Sequence, residues 1–241
     1  MTKLPTQRQQ TLLIACIIFL AAFLLLTFFR PSLHGLDVRV NLWMPSIQSS
    51  SFTPLAEGIA FVFDTTSLVV ISVVISGILL IKNRKPYALL LLGGMGGDAL
   101  LLEVTKTIVH SARPTNMLVP DTGFSYPSGH SAGIVVFGGI LAYFAFRHWQ
   151  STRTRVSIGV GLGVVVAVVS FDRLYLNVHW LSDVLGSWLF GTFWLLFVIL
   201  VFGWLERAGK FGSDRFNVVA NWLYVAAVVV AVLVVASGLF T

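Results

Sequence analysis

Three short polar stretches carry most of the groups in this chain that can do chemistry: Lys106 through Arg113-Pro114, Pro127-Ser128-Gly129-His130, and Arg173 through His179 to Asp183. Lys106, Arg113 and Arg173 can surround a phosphate, because Arg offers a planar fork of donors and Lys a compact point charge. Ser128 can add a hydroxyl donor, and Gly129 lets backbone approach closely at a helix start whose free N–H groups favour an anion. His179 and Asp183 are four apart, so on a helix starting near Trp180 they share a face and the carboxylate can accept a bond from the imidazole. That pairing makes a nucleophile. The carboxylate fixes the tautomer, leaves the other ring nitrogen free to attack phosphorus, and stabilises the charge that develops on the ring. His130, protonated, can then give a proton to the leaving alkoxide.

Each residue also has a plainer reading. Lys106 and Arg173 taken singly are interfacial cations snorkelling to water, and Ser128 taken singly is an ordinary cap before an apolar run. Three cations with two histidines on one face favour the phosphate reading. Two histidines and an aspartate also raise zinc, but the surrounding cations repel a divalent ion and a metal phosphatase wants more carboxylates. The expectation is therefore no metal and no cofactor. The acids on or near that side, Asp37, Glu57, Asp64, Asp121, Asp172 and Asp183, form no compact motif.

These stretches need a scaffold, and composition says which kind. The 241 residues are 56% hydrophobic and only 11% charged, with a mean hydropathy of +0.88. A soluble domain of this size needs many more charges on its surface, so lipid is the main solvent. Apolar runs at roughly 11–29, 59–81, 86–109, 131–146, 156–172, 181–204 and 218–240 mostly reach the ~20 residues of a spanning helix. The expected fold is an all-α, polytopic membrane helix bundle forming one domain over 1–241. Its motif core covers about 86–204, and the helix at 218–240 is an addition. The stretch from Pro31 to Gly58 looks too broken to span and is expected along the outer interface. The lone cysteine, Cys16, has no partner for a disulfide.

Charge sets an orientation. With a cytoplasmic N-terminus, Lys3, Arg8, Lys82, Arg84, Lys85, Arg147, Arg153, Arg155, Arg207, Lys210 and Arg215 face inward, eleven of the sixteen basic residues. Arg30, Arg39, Lys106, Arg113 and Arg173 face outward, a bias that fits the positive-inside rule. The net charge of +6 thus reads as topology and attraction to anionic lipid, with no nucleic-acid partner. The site is expected on the outer face of the cell membrane.

At these residues the sequence resembles the type 2 phosphatidic acid phosphatase superfamily, whose signature is Lys-x6-Arg-Pro, Pro-Ser-Gly-His and Ser-Arg-x5-His-x3-Asp. All three parts occur in order, between Lys106 and Asp183. The resemblance implies a six-helix membrane core and a metal-independent phosphohistidine mechanism. By that likeness His179 attacks, Asp183 supports it, and His130 protonates the leaving group and later activates water. Lys106, Arg113, Ser128, Gly129 and Arg173 hold phosphate. One departure stands out: Asp172 occupies the place of the family's Ser before the arginine, where it either buttresses Arg173 or repels a doubly charged phosphate.

The substrate implied is a lipid phosphate, namely undecaprenyl diphosphate, phosphatidic acid or phosphatidylglycerol phosphate, with a lean to the isoprenoid diphosphate on analogy with compact bacterial members. The interval from Thr115 to Tyr126 is expected to shape the entrance. Two other readings use the same residues: an anion or lipid-phosphate binder or transporter without hydrolysis, and a transferase passing phosphate to another acceptor. Release of inorganic phosphate separates the binder from the enzyme.

Overall fold

A computed structural model describes residues 6–212 and 214–238, with side chains for 6–211 and 216–233. Lys3, the side chain of Arg215 and positions 239–240 of the last apolar run lie outside the described residues. Among the described residues there is no strand. The helices are α1 (Gln7–Phe29), α2 (His34–Trp43), α3 (Thr53–Val62), α4 (Thr65–Ile81), α5 (Lys85–Val109), α6 (Gly129–His148), α7 (Thr152–Tyr175), α8 (Leu181–Arg207) and α9 (Asp214–Gly238).

Their boundaries follow from local chemistry. Asp64 caps α4 by accepting the Thr66 N–H at 2.8 Å, and Ser128 and Ser151 cap α6 and α7 the same way. α5 opens with Pro86 in its first turn, where no N–H is missed. It closes at His110, which takes the left-handed conformation at φ 51°.

Among the described residues, six helical runs are long and apolar enough to cross a membrane, and seven when the bent pair α3 and α4 is counted as one span. That matches the seven apolar runs, with one difference of detail. The second run breaks at Phe63-Asp64, where the chain turns by 45° because Asp64 begins a new helix in place of continuing the old one. The stretch from Pro31 onward is also more regular than its mixed composition suggests. Gln7–Ser46 forms a helical run of 40 residues, about 60 Å at 1.5 Å per residue against a hydrocarbon thickness of ~30 Å. Asp37 on this run is buried against α8, where it accepts from the Ser182 N–H.

Packing gathers one end of every central helix. α1 lies along α8; α6 packs on α7 and α8, α5 on α4 and α6, and α9 on α4 and α5. Leu68, Leu91, Val136 and Ile140 form a buried core between α4, α5 and α6. α6 and α8 approach closely at Gly139, where an added Cβ would collide with the Leu195 side chain. The C-terminal ends of α1, α5 and α7 therefore meet the N-terminal ends of α6 and α8 at a single end of the bundle.

Candidate active site

At that end, α8 begins at Leu181 with Trp180 as its cap. The Asp183 carboxylate turns back to accept the Trp180 N–H at 2.9 Å and His179 Nδ1 at 3.3 Å. The four-residue spacing thus works across the helix start. Both side chains are buried, Asp183 completely and His179 to 3% exposure. Burial pushes the His179 imidazole below its ordinary range, while the bond and charge of Asp183 pull the other way.

The far nitrogen of the ring, Nε2, meets Arg113 Nη1 at 3.3 Å. Arg113 is held from several sides. It donates to the carbonyls of Thr122, Gly123 and Val178, and its Nη1 pairs with Asp121 at 2.9 Å. The interval from Thr115 to Tyr126 therefore wraps this arginine. Lys106, in the last turn of α5, lies within electrostatic reach of Arg113, Asp121 and Asp183.

The second imidazole has a similar setting. His130, in the first turn of α6, places Nε2 3.3 Å from Arg173 Nη1 and 3.2 Å from the Ala60 carbonyl at the end of α3. Asp64 stands 3.8 Å away. Arg173 is itself buried and paired with Asp172, whose Oδ2 accepts from both Nε and Nη2. Asp172 thus buttresses the arginine, one of the two outcomes the sequence left open. Ser128 is fully buried at the α6 cap, and its carbonyl accepts from Ser187 on α8 at 3.0 Å. Gly129 sits against Thr65, where a Cβ would come within 3.2 Å of Oγ1. The structure brings all eight singled-out residues into this one cluster.

Sequence reasoning missed the supporting shell. Arg30, at the end of α1, reaches Asp183 Oδ1 at 3.7 Å and bonds Ser182 and Ser111. Asp37 accepts both the backbone N–H and the hydroxyl of Ser182 at 2.8 and 2.7 Å. The one available signal was Arg30 itself, a cation at a helix end on the side with fewer positive charges. Among the described residues, no three His, Cys, Asp or Glu side chains converge as a metal ligand set.

At one end of this polytopic helix bundle, a buried imidazole, His179, and a partly buried one, His130, each stand beside an arginine. The chain belongs to the PAP2 superfamily, whose model matches residues 87–207. It is 34% identical over 142 residues to phosphatidylglycerophosphatase B of Bacillus subtilis (strain 168), covering 58% of this chain and 68% of that one. It is 28% identical over 128 residues to undecaprenyl-diphosphatase of Sulfolobus acidocaldarius, covering 50% and 57%. Among solved structures it resembles the crystal structure of a transmembrane PAP2-type phosphatidylglycerolphosphate phosphatase from Bacillus subtilis, with TM-score 0.72 and 26% identity over 80% of this chain and 96% of that one. Family, helical membrane fold and phosphatase class thus agree with the resemblance read from the motifs.

Proposed function

We propose that this chain hydrolyses a lipid phosphate through a phosphohistidine on His179, without a metal ion. The observation that carries this reading is the line Asp183–His179–Arg113: a carboxylate on Nδ1, with Nε2 directed at a guanidinium that can hold a phosphate oxygen. In the first step, the Nε2 lone pair forms an N–P bond as the ester P–O bond breaks. His130 gives its proton to the departing lipid oxygen. In the second step, water attacks phosphorus and loses a proton to His130; the N–P bond breaks and its electron pair returns to His179. Lys106, Arg113 and Arg173, with Ser128 and the backbone at Gly129, hold the phosphate oxygens. A phosphate between Arg173 and His130 also supplies the negative charge that a protonated His130 needs beside an arginine.

Phosphatidylglycerol phosphate is the first substrate to try. The higher identity to phosphatidylglycerophosphatase B than to undecaprenyl-diphosphatase supports it over the isoprenoid diphosphate favoured by analogy with compact bacterial members. The proposed setting is the outer face of the cell membrane, with the N-terminus in the cytoplasm. Phosphate release by purified protein with EDTA present, from phosphatidylglycerol phosphate, undecaprenyl diphosphate and phosphatidic acid, tests the reading. Release by the wild type and none by His179→Ala is expected, with the best substrate giving the highest kcat/KM. Full activity in His179→Ala would overturn the nucleophile; loss in EDTA restored by a divalent ion would overturn the metal-free route.

A further inference from the structure

At the end of the bundle remote from the histidines, a cavity of about 610 Å³ opens between the start of α1, the junction of α6 and α7, and the end of α8. α6 and α8 run from the reaction site toward it over 20 and 27 residues, which separates the two by roughly 30–40 Å at 1.5 Å per residue. Nothing in the proposed chemistry uses this cavity. Among the described residues, four arginines line it, Arg8, Arg147, Arg155 and Arg207, with Glu206 as the one carboxylate.

Among the described residues these charges are not cancelled. Glu206 is fully engaged by Arg147, oxygen by oxygen, at 2.7 and 2.9 Å. Arg155 donates to the carbonyls of Phe146 and Trp149 and to Gln150, which fixes its position and leaves its charge in place. The Arg147–Glu206 pair is the only ion pair of the cavity among the described residues. The positive-inside rule accounts for basic residues in loops on one side of the membrane. It does not account for guanidinium groups from three distant segments converging on one concavity, beside the amide groups of Gln9 and Gln150.

The walls narrow the choice of ligand. Leu12 on α1 and Ile199 and Leu200 on α8 line the cavity toward the spanning parts of those helices, so an anion seated among the arginines has an apolar path for attached chains. We propose that this cavity binds the phosphate group of an anionic phospholipid drawn from the leaflet opposite the reaction site. Arginine forks suit the phosphate oxygens, and the apolar wall suits the acyl chains.

The test uses the full chain reconstituted in phosphatidylcholine with increasing phosphatidylglycerol, read by lipid retention in native mass spectrometry and by Tm. It is run in the His179→Ala background so that turnover does not enter. Phosphatidylglycerol is expected to be retained and to raise Tm as its share increases. Arg8→Gln/Arg207→Gln is expected to keep the Tm in pure phosphatidylcholine and to weaken retention on the order of tenfold for each charge-assisted bond removed. A parallel arm adds inorganic phosphate to the phosphatidylcholine sample; a full Tm rise there keeps the anion site but assigns it to free phosphate, overturning the lipid source. No response to phosphatidylglycerol in the parent chain, or an equal response in the double variant, overturns the site.

Discussion

At His179 the two ring nitrogens meet opposite kinds of neighbour, a carboxylate at Nδ1 and a guanidinium at Nε2. The proposed nucleophile attacks only as the neutral ring. Because burial holds its pKa below the ordinary range, the ring stays neutral as pH falls through about 6.5, and the acid limb of kcat/KM due to this group is expected below that value. Asp183→Asn removes the bond and charge of Asp183 and leaves only the weaker pull of Asp121 raising the pKa, so the limb is expected to move lower still while the rate falls by up to about 10⁴-fold. A pH profile of both proteins checks the sign. Asp172 bears on the neighbouring arginine. Asp172→Ala leaves Arg173 buried without its counter-charge and is expected to destabilise the fold by about 3–5 kcal/mol, while inorganic phosphate becomes a stronger competitive inhibitor of the surviving protein; Tm and Ki measure the two effects. All eight proposed site residues were legible because their motifs have fixed spacing. Arg30, Asp37, Asp64 and Asp121 were not, since a bond such as Asp37 to Ser182 spans 145 residues and leaves no local pattern.

Helix positions in the sequence followed from apolar length, and the starts of α6 and α8 followed from Ser128 and from the spacing of His179 and Asp183. The break between α3 and α4 did not, because Asp64 interrupts an apolar run without lowering its hydropathy much. Nor did the fit of α8 against the loop before α6. At Gly186 an added Cβ would stand 2.5 Å from Tyr126, a fully buried ring held by Thr27 and stacked on Phe23. Gly186→Ala is expected to cost about 1–3 kcal/mol and to reduce kcat/KM, because Tyr126 directly precedes Pro127-Ser128-Gly129-His130. Gly161→Ala on α7, where nothing lies within 4 Å, is expected to leave both Tm and activity within error. The pair of variants separates helix packing from the general effect of replacing glycine in a span.

The whole molecule has two charged ends joined by apolar helices, and the placement of charge along the sequence is enough to reveal them. What composition could not show is that the basic residues at the far end enclose a cavity, since convergence depends on α1 lying along α8. Orientation is tested at this scale by single-cysteine labelling after replacing Cys16. Asn116→Cys is expected to react with an impermeant thiol reagent added from outside, and Asn83→Cys only after the membrane is opened. Labelling of position 83 from outside would reverse the proposed topology while leaving the geometry of the reaction site unchanged.

Arg113 has five N–H donors, and in the resting structure its Nη1 already serves the Val178 carbonyl, His179 Nε2 and Asp121. An anion reaching that nitrogen therefore exchanges places with an existing acceptor; it does not fill an empty berth. The net gain is the difference between two sets of bonds, so in the proposed mechanism the arrival of phosphate would free His179 Nε2 at the same moment as it positions phosphorus. The same exchange runs backward when the product leaves, with Asp121 ready to reclaim the arginine. In the proposed reaction such a site would trade grip for throughput, giving up part of its hold on phosphate so that it can be cleared for the next lipid.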